Sequence, residues 1–179
     1  MPLEAVDAIV RSGTRRKLWE PSASARDVRI GRDEIERLIP HRDPSLFVDR
    51  IGEIDLELSR LRGQRFIDPA DSAFAGHFPG RPIYPGVLLL ETIGQFGLCL
   101  LYFTGKRTFE VPPEARPRDL RLIRINHGAF PSEVGPGQTL EVTATVLEQN
   151  DFTAICAGQV MKGDTICAFG VMEVYFVED

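Results

Sequence analysis

One stretch, GHFPGRPIYPGVLLLETIGQ from Gly76 to Gln95, carries side chains of the type and spacing that proton transfer needs. His77 sits in a loop stiffened by Pro79, Pro82 and Pro85, while Gly76, Gly80 and Gly86 permit tight bends. Such a loop loses little entropy on ordering, so it can hold an imidazole in one pose. Glu91 lies in the most apolar segment of the chain, and Gln95 follows at i+4, on the same face of a helix. An amide one turn away can fix the orientation of a half-buried carboxyl. The Pro85–Gly86 junction opens that helix, and its free N–H groups make a seat for a carbonyl oxygen gaining negative charge. Gly86, lacking a side chain, lets a substrate approach. An imidazole, a carboxyl and an N–H donor are the groups that remove a proton α to a carbonyl while a β-substituent leaves. Burial is expected to raise the pKa of Glu91 and so favour it as a proton donor near neutrality. The alternatives are a plain turn histidine and a glutamate paired with one of the arginines. An unpaired buried carboxylate is costly without a partner or a use. On these residues alone the stretch is an acid–base site.

The elements that position these groups follow from patterning. Val87 to Phe103 reads as a helix apolar on all sides, roughly 25 Å long. It is at the short end of membrane-spanning length and contains Glu91, Gln95 and two glycines, so a core helix is expected. A short helix is expected from Arg32, where Ile35, Leu38 and Ile39 recur at helical spacing before Pro40. Leu46 to Ile67 reads as a long strand bending into a second near Ser59, and residues 68–86 are turn-rich. After the proline-rich stretch 104–119, strands are expected in DLRLIRIN, TLEVTATVLE, FTAICAGQVM and TICAFGVMEVYF, with turns at QND and KGD. Residues 1–28 read as an N-terminal extension, with a short helix at Glu4–Val10 and Trp19 docking it onto a domain of residues 29–179. Segregated strands around one apolar helix give an α+β fold, a curved antiparallel sheet wrapped round that helix.

Bulk properties narrow the function. Apolar residues make up 43% and charged residues 26% of the 179, the balance of a soluble globular chain. A net charge of −5 argues against nucleic-acid binding. Cys99, Cys156 and Cys167 form no CxxC pair and read as buried, reduced thiols. Acidic Glu4 and Asp7 stand where a signal peptide is basic, so the cytoplasm is the expected compartment. His41, His77 and His127 lack ligand spacing, and no metal is expected; His41 reads as a brace of the PHRDP turn and His127 as a strand-end surface residue.

The Gly76–Gln95 stretch closely resembles the signature of the 3-hydroxyacyl-[acyl-carrier-protein] dehydratases of the FabZ type, which have the hotdog fold. LIPHRDPSLFVDRI and VGPGQTLEV resemble that family's earlier and later motifs. The resemblance spans roughly residues 31–176. It implies a sheet wrapped round a central helix, subunits paired edge to edge, and active sites at their interface. His77 would take the C2 proton of the thioester, and Glu91 from the other subunit would assist departure of the 3-hydroxyl. The Gly86 N–H would polarise the thioester carbonyl and Gln95 would hold Glu91, with Phe78, Tyr84 and Pro85 beside the substrate. A glutamate at 91 separates the chain from FabA-type dehydratase–isomerases, which carry aspartate there. The implied substrate is a (3R)-3-hydroxyacyl chain on the phosphopantetheine of an acyl carrier protein, with no other cofactor, in a homodimer or a hexamer built from it.

The sequence also departs from the family pattern. Asp43 replaces an aromatic and Ser45 a bulky apolar residue; Tyr84 replaces a methionine near the catalytic loop, and its bulkier phenol is expected to narrow or polarise the acyl tunnel. INHGAFPSEV lacks the family's basic run, for which Arg116, Arg118, Arg121 and Arg124 could compensate in meeting an acidic carrier. These changes and the extension point to a specialised pathway member. Rival readings are a coenzyme A thioesterase or hydratase of the same fold, and a non-catalytic acyl-binding partner subunit.

Overall fold

A computed structural model describes residues 3–177. Helix α1 (Leu3–Ser12) is followed by strand β1 (Arg26–Ile30), helix α2 (Arg32–Leu38), and strands β2 (Arg50–Asp55) and β3 (Arg60–Phe66). A 3₁₀ turn (Ser72–Phe74) leads to the long helix α3 (Gly86–Lys106), and four strands close the chain: β4 (Leu120–Ala129), β5 (Thr139–Gln149), β6 (Thr153–Lys162) and β7 (Thr165–Phe176). The strands form one antiparallel sheet in the order β1-β2-β3-β5-β6-β7-β4. This is the wrapped-helix α+β architecture that the patterning predicts.

Helix α3 is apolar because the sheet encloses it. Leu89, Ile93, Phe96, Leu100 and Phe103 are buried in one cluster with Leu61, Leu140, Val142, Val160 and Ala168 from the strands. Close approach of helix to sheet depends on small residues: a Cβ at Gly158 would come within 2.5 Å of Ile93 and 2.6 Å of the Thr143 carbonyl. Among the described residues, that helix is also the one long and apolar enough to cross a membrane, and its burial in the sheet accounts for the composition.

The opposite face of β6 and β7 is covered by the N-terminal segment. Ile9, Val10 and Leu18 pack on Ala157, Phe169 and Val171. The buried Gln159 amide donates to the Gly13 and Arg16 carbonyls (2.6 and 2.7 Å) and accepts from the Leu18 N–H (2.7 Å). Trp19 is buried under the Arg62 guanidinium. With both faces covered, β6 and β7 carry nearly continuous apolar runs instead of alternation. Strand β1 begins at Arg26, so it straddles the expected 28/29 boundary and belongs to the sheet.

Two local differences from the sequence reading have simple causes. The two expected strands do change over at Ser59 (φ 50°), but through a turn at residues 56–59 that pairs β2 with β3 as a hairpin where the sequence reading expects a bend. Leu46 to Val48 is not strand, because the Phe47 N–H is taken by the Gln95 side chain.

Candidate active site

The loop before α3 fixes His77 from both sides of its own backbone. The Ile83 N–H donates to the His77 carbonyl (3.1 Å), and the Ile83 carbonyl lies 2.9 Å from His77 Nδ1. A carbonyl only accepts, so Nδ1 carries the proton and Nε2 presents a lone pair. The loop closes through paired Phe78 and Arg81 backbone bonds with Gly80 at φ 79°. Arg81 grips Glu133 with both carboxylate oxygens at 2.9 Å, and the Tyr84 N–H donates to the Val134 carbonyl at 2.7 Å. Phe78 is exposed and stacks on the His77 ring, centroids 4.1 Å apart.

Pro85 caps α3 and Gly86 is its first residue. The ring of Phe130 occupies the space a side chain at 86 would need: a Cβ there would meet it at 2.8 Å. A side chain at 86 would therefore have to displace the Phe130 ring, and with glycine the helix N-terminus stays uncovered by its own side chain.

Glu91 faces a cavity of about 220 Å³. Gln95 Nε2 donates to its Oε1 at 2.9 Å and to the Ser45 carbonyl at 2.8 Å, while Gln95 Oε1 accepts from the Phe47 N–H at 2.7 Å. The fully buried Gln95 is thus a fixed post, and Glu91 is held on it. His41 Nε2 lies 3.4 Å from the same Glu91 oxygen. Arg42 braces the turn that carries His41 by donating to the carbonyls of Glu36, Ile39 and His41.

The expected rise in the Glu91 pKa is not found. Hydrogen bonding to His41 is the largest influence and lowers it, followed by burial, which raises it, and by Gln95, which lowers it again. The carboxyl is 41% exposed in the single chain, so desolvation is incomplete and its partners prevail.

Gln95 and Glu91 stand together, as their spacing implies. His41, read from sequence as a turn brace, joins them; its contact spans fifty residues, and no local pattern signals it. Tyr84 lies elsewhere than beside Glu91: it is 2% exposed, packed near Phe74, with its hydroxyl accepting from Arg65 Nη2 (2.7 Å) and donating to Asp71 (3.3 Å). Burial pushes its phenol pKa up, which keeps it neutral. His77 does not line the cavity that Glu91 faces. Within one chain the imidazole belongs to the loop before α3 and the carboxyl to this cavity. Beyond these, all three cysteines are buried and free, and burial raises Cys156 to about 12.

The chain resembles known proteins in sequence and in fold. The FabA-like domain family matches residues 39–170. The 3-hydroxyacyl-[acyl-carrier-protein] dehydratase FabZ of Sulfurimonas denitrificans is 34% identical over 146 residues, covering 81% of this chain and 95% of the relative. FabZ of Aliarcobacter butzleri is 34% identical over 145 residues, covering 81% and 96%. Among solved structures, the dehydratase heterocomplex ApeI:P from Xenorhabdus doucetiae aligns with a TM-score of 0.62 at 15% identity, over 81% of this chain and 91% of that one, a likeness of fold. The match across most of the chain, at an identity well above chance and over nearly the full length of the relatives, places it: the chain belongs to the FabA-like family, with the FabZ-type dehydratases as relatives.

Proposed function

We propose that this protein is a dehydratase converting (3R)-3-hydroxyacyl groups on acyl carrier protein to trans-2-enoyl groups, within fatty-acid or related biosynthesis in the cytoplasm. The observation that carries it is the fixed tautomer of His77. Nδ1–H is committed to the Ile83 carbonyl, so Nε2 is a base held in one orientation beside the start of α3. Nε2 takes the C2 proton, the C2–C3 double bond forms, and the C3–O bond breaks. The hydroxyl takes a proton from the partner subunit's Glu91 and leaves as water. The Gly86 N–H, at the positive end of the helix, holds the thioester oxygen as charge builds on it.

An exposed apolar edge of the sheet supports this reading. Strand β4 ends the sheet, and Leu122, Ile123 and Ile125 on it are each about half exposed. An apolar edge with unpaired N–H and C=O groups is completed by a second β4 across a two-fold axis. That pairing would bring the imidazole loop of one chain to the carboxyl cavity of the other. Covering the cavity would also withdraw water from Glu91 and shift it toward its neutral, proton-donating form.

Subunit mixing tests the composite site. His77→Ala and Glu91→Gln are each expected to lower turnover by about 10²–10⁴-fold. Mixed and allowed to exchange, they should recover roughly a quarter of wild-type activity, since half the dimers are mixed and each has one intact site. No recovery, with exchange demonstrated, would refute a site shared between chains.

A further inference from the structure

Beside the Glu91 cavity lies a second, of about 330 Å³. The two share Pro40, Leu98, Leu101, Arg118 and Leu120 as lining, so they are neighbouring chambers of one groove along α3. The groove runs from Glu91 toward Lys106, about 22 Å along the helix axis. The second chamber is apolar within, lined by Leu38, Ile39, Leu98, Leu101 and Phe176, and it carries three cations, Lys106, Arg116 and Arg118.

Its charge is one-sided. No aspartate or glutamate lines this chamber, and among the described residues none of the three cations is paired with a carboxylate. The first chamber differs, because there Arg121 is neutralised by Asp119. Arg118 lies with its guanidinium 3.7 Å from the centre of the Phe176 ring, which holds the charge against the chamber wall. Arg116 spends only Nη1, on the Ala115 and Pro113 carbonyls. An apolar channel that begins at an acid–base carboxyl and ends at unpaired cations is complementary to a chain that is apolar in the middle and anionic at its far end.

We infer that the preferred substrate is a 3-hydroxyacyl chain with a carboxylate at its distal end, received by Arg118, Lys106 and Arg116. The inference rests on the dehydratase reading and specifies its substrate class. An extended chain advances about 1.3 Å per carbon, so a chain of about sixteen carbons runs about 17 Å from its C3 beside Glu91, within reach of the Lys106 side chain at the far end of the groove.

The test compares two 3-hydroxyacyl chains of equal length, about sixteen carbons, one ending in a carboxylate and one in a methyl. Each is offered as a pantetheine thioester and on carrier protein. The wild type should show a kcat/KM about tenfold or more higher for the carboxylate on both carriers. Arg118→Gln and Lys106→Gln should each collapse that ratio toward one. Lys106 is exposed at the helix end, so its variant folds even if loss of the Arg118–Phe176 contact does not permit the other. Equal or better turnover of the methyl-terminated chain by wild type overturns the inference. So does a loss confined to carrier-borne substrates and equal for both tails, which would make these cations a carrier-docking patch. Absence of product from either chain would instead overturn the dehydratase reading beneath it.

Discussion

Tyr84 provides the sharpest test of how the catalytic loop is anchored. Arg65 is only 5% exposed, stacks on Phe47 with its guanidinium 3.9 Å from the ring centre, and finds its closest acceptor in the Tyr84 hydroxyl at 2.7 Å. Its Nε is already buried without a partner, the Leu46 carbonyl is 3.5 Å from Nη1, and Asp71 is 3.9 Å from Nη2. Tyr84→Phe keeps the ring and its packing but leaves a buried cation short of an acceptor. A hydrogen bond to a charged group contributes about 1.5–3 kcal/mol, and its loss here should cost about 2 kcal/mol. For a domain of this size each kcal/mol lowers the melting temperature by about 2–4 °C, so a fall of about 4–8 °C is expected. Thermal denaturation by circular dichroism measures it. The double variant Arg65→Met/Tyr84→Phe removes the cation with its acceptor and should be more stable than Tyr84→Phe alone. Tyr84 follows Ile83, which holds His77, so dehydratase kcat should fall with stability in the single variant. A melting temperature within a degree of wild type, or a double variant less stable than the single, would refute the argument.

Further expectations follow from single contacts. Glu91 has a folded pKa below its ordinary value, so it stabilises the fold above the unfolded carboxylate range and that stability is lost as pH falls through the folded value. In His41→Ala the largest remaining influence is burial, which acts the other way; urea melts from pH 6 to 3 should therefore show a shallower loss of stability than wild type. Gly86→Ala would drive a methyl into the Phe130 ring, and at least about a tenfold loss of kcat is expected with the far-ultraviolet spectrum unchanged. Gln159→Leu strands the Gly13 and Arg16 carbonyls and the Leu18 N–H under the N-terminal segment; a loss of about 2–3 kcal/mol in urea unfolding and faster proteolysis before Trp19 should result. Ile125→Lys puts a charge on the apolar edge of β4, and sedimentation should show monomers with dehydratase activity lost.

Local pattern was enough for most of the elements, but not for β1 or for the non-strand stretch 46–48. The 3.6-residue run in α2, the all-apolar α3 and strands β5, β6 and β7 each lie where their apolar patterning puts them, because burial of one face or both is written in neighbouring residues. The pairing of Glu91 with Gln95 was legible for the same reason, being an i,i+4 contact on one helix. The docking of Trp19 was legible from its isolation among charged and small residues, but not the surface it meets.

What the chain alone determined, then, is an α+β fold round an apolar helix, a rigid loop bearing His77, and a carboxyl supported from one turn below. The tertiary structure set the direction of that carboxyl's pKa shift, because His41 reaches it from another element and outweighs burial in the single chain. It also moved Tyr84 into the core, where a buried arginine from β3 claims its hydroxyl. It left His77 outside the lining of the cavity that Glu91 faces, and an apolar strand exposed at the sheet edge. These outcomes share one cause: each depends on which groups meet across long loops, and electrostatic balance at a site is set by those meetings rather than by the residues adjacent in sequence.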